Sequence, residues 1–100
     1  MSEITRKEQR AVVKPDHKNI AGPVAQDFMK ELKPLLSEGV TRLVIDLSAV
    51  QLIDSMGLSV LVAAHNSLQK IDSQLEITNV SENILKLMKE MRLDRHFLIS

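Results

Sequence analysis

Apolar positions in this chain fall into two alternating rhythms, one of period two and one of period near 3.6. Residues 1–10 are polar, which predicts a frayed, partly disordered start or an abbreviated first strand. Ala11, Val12 and Val13 form a short apolar run closed by Lys14 and Pro15, read as a strand. Residues 15–22 carry Pro, Asp, His, Lys, Asn and Gly, which is loop chemistry. Pro23 suits the first turn of a helix. Val24, Phe28, Leu32, Leu35 and Leu36 then recur at helical spacing. Pro34 inside that stripe predicts a kink or a division, because it has no N–H and crowds the carbonyl four residues back. Gly39 is the expected C-terminal cap.

The next segment, 42–47, is almost continuously apolar, as strands covered on both faces are. Residues 48–54 form a connection with Val50, Leu52 and Ile53 expected to turn inward. Leu58, Leu61, Val62, His65 and Leu68 make a second helical stripe that ends near Lys70. Residues 75–78 alternate with period two and predict a strand. Ser81 is an expected N-cap, and Glu82 suits the positive end of the helix dipole. Ile84, Leu85, Met88 and Met91 form a third stripe, and 97–99 a last strand. Strand and helix therefore alternate along the chain. Such alternation predicts a single α/β domain with right-handed crossovers and a small, mostly parallel sheet. The chain stops in or just after a strand, so a final element is expected to be missing.

Composition narrows the picture. One hundred residues suit one domain, and 44% apolar residues suffice for one core. With two Phe, no Trp and no Tyr, that core must be aliphatic. Thirteen basic residues balance thirteen acidic ones, which argues against a general nucleic-acid binder. The absence of cysteine excludes disulfides, thiolate metal sites and thiol catalysis. No basic start leads into an apolar run, and no stretch approaches the roughly 20 apolar residues that span a bilayer. A cytoplasmic protein with no direct membrane insertion is the expectation.

Candidate chemistry concentrates after the apolar strand. Val44-Ile45-Asp46-Leu47 leads, seven residues on, to Asp54-Ser55-Met56-Gly57-Leu58. A strand, a short loop and a helix start would present the Ser55 hydroxyl outward, near backbone N–H groups. The plain reading of Ser55 is an N-cap worth about 1 kcal/mol; the functional one is a site for a charge switch. Gly57 is either a small residue in a first turn or a point of close approach for a partner's backbone, and Met56 is expected to point outward. Asp46 ends a strand as a receiver-domain phosphoacceptor does, but no acidic pair follows the first strand. A hydrolase elbow needs Gly-x-Ser-x-Gly, and Ile53 stands at its first position. His17, His65 and His96 show no metal-ligand spacing and are expected at the surface or partly buried. No Gly-rich phosphate loop is present. Lys86, Lys89, Glu90 and Arg92 read as a solvated helix face.

The run Glu38-Gly39-Val40-Thr41-Arg42-Leu43-Val44-Ile45-Asp46-Leu47-Ser48, then Ile53-Asp54-Ser55-Met56-Gly57-Leu58, resembles the STAS domain family, which includes bacterial anti-sigma factor antagonists. Leu75-Glu76-Ile77-Thr78-Asn79-Val80-Ser81, a helix and Phe97 extend the likeness over roughly 11 to 99. The resemblance implies a small mixed sheet with helices mainly on one side. It implies that Ser55 is the phosphoacceptor of a partner serine kinase, itself an anti-sigma factor, which the unmodified form binds. It implies no cofactor, no metal and no catalytic activity of the domain's own. The family usually has Ser or Thr after the phosphoacceptor; this chain has Met56. The family also carries an aspartate in the loop before the first helix, and here Asp16 or Asn19 could serve. The implied partner surface joins Asp16, Asn19, Ile20 and Gly22 to Asp54, Met56, Gly57 and Leu58. STAS modules also act as non-phosphorylated scaffold subunits of signalling or of lipid- and anion-transport assemblies, and that alternative stays open.

Overall fold

The computed structural model describes residues 2–100; the expectation for Met1 lies outside the described residues. The chain runs β1 (Ser2–Lys7), β2 (Arg10–Pro15), β3 (Asn19–Ile20), α1 (Pro23–Ser37), β4 (Arg42–Asp46), β5 (Leu52–Ile53), α2 (Ser55–Gln69), β6 (Glu76–Thr78), α3 (Glu82–Glu90), a 3₁₀ turn (Leu93–Arg95) and β7 (Leu98–Ile99). The main sheet has the order β1-β2-β4-β6-β7. Only β1 and β2 are antiparallel; β2, β4, β6 and β7 pair in parallel. β3 and β5 form a separate parallel pair.

Register puts Ala11 beside Leu43, and Val13 beside Ile45. Ile45 in turn lies beside Ile77, and Ile77 beside Ile99. These side chains share one face, because alternate residues of a strand point the same way. That face meets Ala25, Phe28, Leu32 and Leu35 of α1, Leu58, Leu61, Ala64 and Leu68 of α2, and Ile84 and Met88 of α3 in one buried cluster. The helices thus lie mainly on one side of a small mixed sheet. The opposite face carries Val44 and the ion pair of Arg42 with Glu76, at 2.7 Å. The Arg42 hydrogen bond holds the Glu76 carboxyl below its usual range.

Several expectations change. Of the two alternatives for the polar opening run, Ser2–Lys7 takes the strand, six residues long and in continuous register with β2, not a frayed start. Its faces are exposed, so no apolar alternation advertises it. Side chains hold it instead. The Ser2 N–H and hydroxyl donate to the Glu31 carboxylate, and Arg6 donates to the Glu38 carboxylate and carbonyl at 3.0 and 2.9 Å. Its charged residues also guard a free sheet edge against pairing with other chains. Pro34 does not divide α1, which runs unbroken to Ser37. It sits in the last turn on an exposed face, where water can satisfy the carbonyl it leaves unpaired. Gly39 (φ 89°) follows, and the Val40 N–H donates back to the Leu35 carbonyl, closing a Schellman motif. Leu52 is exposed, because alternation against buried Ile53 forces it outward. Met91 leaves the third stripe for solvent at the C-cap of α3, where Arg92 turns left-handed.

His65 is a further correction: it is not at the surface but 3% exposed. Its Nδ1 accepts from the Leu75 N–H at 3.4 Å. Burial, and then the charge of nearby His96, push its pKa below the ordinary 6.5. The unfolded chain therefore takes up this proton before the folded chain does. The stability it supports is complete above about pH 6.5 and declines as pH falls toward the folded-state pKa. Asp46 and Glu76, also held low, lose their contributions only further down, in the carboxylate range. Melting curves recorded across mildly acidic pH should show this decline, and His65→Gln should flatten it.

Candidate functional site

Two helices start at one end of the sheet, and Asp54 ties their beginnings together. Asp54 is extended (φ −99°, ψ −174°) and is the N-cap of α2. Its carbonyl accepts from Leu58 N–H at 2.9 Å, and its Oδ1 accepts from Gly57 N–H at 2.8 Å. Its Oδ2 accepts from the N–H of Gly22, the N-cap of α1, at 3.2 Å. Its own N–H donates to the Ile20 carbonyl at 3.3 Å. One side chain thus satisfies two backbone donors from separate segments, and a carboxylate suits the positive end of a helix.

The cap expected of Ser55 therefore belongs to Asp54. Ser55 takes the first helical position, exposed, and its hydroxyl has no hydrogen-bond partner among the described residues. Met56 beside it is 41% exposed. A shallow groove runs from Ser55 along α2 past Ser59 and Val62, with Met91 and Leu93 on its far wall.

Gly57 is needed by the chain itself. A Cβ there would lie 2.4 Å from the Ile20 carbonyl oxygen and 2.4 Å from Ile53 Cγ1. Its absence lets the first turn of α2 rest on the β3–β5 pair. Ile20, Gly57 and Leu58 are all buried and support the surface from beneath, Leu58 at the floor of the Ser55 groove. Asn19 is exposed and pairs with Leu52, while Gly22 and Asp54 are half-buried. Asp16 is exposed but lines a separate hollow with Ser2, Lys14 and Ala49, away from the Ser55 groove. Leu52, 58% exposed, adds apolar surface to this end, and Met91, 51% exposed, adds it along the groove; sequence reasoning missed both. The strand alternation at Leu52 was the available signal.

Asp46 is structural. Burial pushes its carboxyl upward, but hydrogen bonds from Ser48 N–H at 2.9 Å and the Asn79 amide at 3.1 Å outweigh this and hold it low. No group of three or more His, Asp or Glu among the described residues could hold a metal ion. No helix among them is long and apolar enough to cross a membrane.

The family model of the STAS domain matches residues 4–100. The chain belongs to the STAS domain family. Solved structures agree on the fold. A Thermotoga maritima protein named as a candidate anti-sigma factor antagonist is 23% identical, with a TM-score of 0.88, covering 98% of this chain and 84% of the other. An anti-sigma factor antagonist from Mycobacterium paratuberculosis is 22% identical, with a TM-score of 0.86 over 99% and 83%. The unphosphorylated anti-sigma factor antagonist SpoIIAA is 11% identical, with a TM-score of 0.85 over 100% and 88%. SpoIIAA of Bacillus also has a structure in its phosphorylated form. A search of curated proteins finds no significant match. In this STAS domain residues 53–58 carry the exposed serine and its aspartate cap.

Proposed function

We propose that this STAS domain is a cytoplasmic anti-sigma factor antagonist, a binding module with no catalysis of its own, switched by phosphorylation of Ser55. The supporting observation is the division of labour at the helix start: Asp54 does the capping, and the neighbouring hydroxyl is left exposed and, among the described residues, unpartnered. The partner is a serine kinase that is also the anti-sigma factor. Ser55 Oγ attacks the γ-phosphorus of the kinase's ATP, the bond to ADP breaks, and the hydroxyl proton passes to a base on the kinase. The product carries about −1.5 to −2 charge at pH 7. At the first position of α2 the fold accommodates that charge. A partner seated over Met56 and Leu52 does not, because desolvating the phosphate beside Asp54 sets like charges together in an apolar contact.

The test is a phosphorylation assay with candidate kinases from the source organism, read by mass spectrometry, followed by calorimetry of both forms against the kinase. Phosphate is expected on Ser55 alone. Phosphorylation should weaken binding by roughly a hundredfold or more, while Ser55→Ala leaves it intact. Equal affinity of the two forms would overturn the reading. The second reading, a scaffold subunit of a transport or signalling assembly, gains weight from Met56 and from the exposed Leu52 and Met91, which suit a constitutive apolar contact. No phosphorylation, with co-purification of a membrane transporter, would favour it.

A further inference from the structure

A second cavity lies beyond the serine groove, near the C-terminal end of α2, with a volume of about 210 Å³. Val62, Leu93 and Phe97 supply apolar walls, and the Asn66 and Gln69 amides stand at the rim. The His65 ring lines it from within the core, and exposed His96 lines it from outside. Phe97 meets the His65 ring edge-on at 5.4 Å, and the two imidazole centroids are 6.0 Å apart.

The protonation of His65 follows from its contacts. Nδ1 accepts from the Leu75 N–H, so in the neutral ring the proton sits on Nε2. Nε2 is buried and has no hydrogen-bond partner among the described residues. A buried donor without an acceptor costs about 1–3 kcal/mol, so an occupant that supplies an acceptor stabilises the site. A metal ion is the wrong occupant, because coordination at Nε2 requires a lone pair there and would put the ring proton on Nδ1, facing another N–H.

We propose that this cavity is a binding site for a small molecule with a compact apolar body and one carbonyl or carboxylate oxygen. His65 Nε2 is closed off from the cavity as it stands, so the exposed His96 ring must first turn aside; the oxygen then accepts from Nε2, and the apolar body lies against Val62, Leu93 and Phe97. The site adjoins the Ser55 groove through Val62, Asn66 and Leu93, but its proposed contacts involve neither the serine nor a kinase.

Three probes of one shape test it: isobutyrate, isobutyramide and isobutylamine, each titrated into the full chain. Imidazole nitrogen shifts are followed by long-range ¹H–¹⁵N NMR. The expected result is a saturable shift of His65 Nε2 with isobutyrate, isobutyramide or both, and none with the amine. A response to the acid alone identifies the ligand class as carboxylates; a response to both identifies it as carbonyl compounds. Gln69→Trp, at an exposed rim position, blocks the cavity without entering the core and should abolish the response. His65→Phe, with folding checked by circular dichroism, should weaken binding by about tenfold or more, measured by calorimetry. The proposal is overturned if no probe saturates, if the amine binds as well as the acid and the amide, or if binding survives Gln69→Trp. Shifts that report only a bound water, unmoved by every probe, also overturn it.

Discussion

Gly57→Ala is expected to destabilise the domain by about 3 kcal/mol, which for a chain of this size lowers the melting temperature by roughly 12–24 °C. In an unhindered helix the same change would be stabilising by about 1 kcal/mol, because glycine loses the most backbone freedom on folding. The sign reverses here because the added methyl would meet the Ile20 carbonyl oxygen at 2.4 Å. That carbonyl cannot step aside freely. It accepts from the Asp54 N–H, and Ile20 is paired with Ile53 across the short β3–β5 ladder. Ile53 Cγ1, also at 2.4 Å, blocks the other side and is buried. Either α2 lifts off the pair or the pair opens, and both tilt the first turn that presents Ser55. Thermal melts by circular dichroism check the prediction. An unchanged melting temperature would mean that α2 does not lie this close to β3.

Asp54→Ala is expected to cost a comparable amount, about 3 kcal/mol, from the loss of a helix cap and of a charge-assisted bond to a second segment. Asp54→Asn separates the two. An amide oxygen can still accept from the Gly57 N–H, but the amide nitrogen would then face the Gly22 N–H, donor against donor. About half the loss should remain. Amide hydrogen exchange resolves the parts. Exchange at Gly22 should speed up in both variants, and exchange at Gly57 only in the alanine variant. If Asp54→Asn matches the parent at Gly22, the carboxylate does not bridge the two helix starts.

These two residues also show where sequence reading reaches and where it stops. Asp54 and Ser55 are adjacent and both are good cap residues, so composition favours neither for the role. The choice falls to Asp54 because its side chain can accept from Gly57 and Gly22 together, and Gly22 comes within reach only after β3 pairs with β5. Gly57 is similar. A glycine in a first turn reads as tolerated or as meeting a partner, and only the packed carbonyl of Ile20 decides the matter. For β1 the sequence left a disordered start and an abbreviated strand both open, because an edge strand held by Glu31 and Glu38 needs no apolar face. His65 was on the apolar stripe, yet a polar residue type masked its burial.

By itself the sequence determined the order of the main elements, the aliphatic core, the Gly39 stop and the exposed place of Ser55. Each rests on local spacing or on a residue's own backbone preference, and these act over one or two turns or a single strand. Only the tertiary structure decided which carboxylate caps α2, why position 57 tolerates no side chain and what surrounds His65. Each of those depends on groups far apart in the chain, whose meeting is set by strand register and close packing, and no local pattern encodes a contact with a partner 30 residues away.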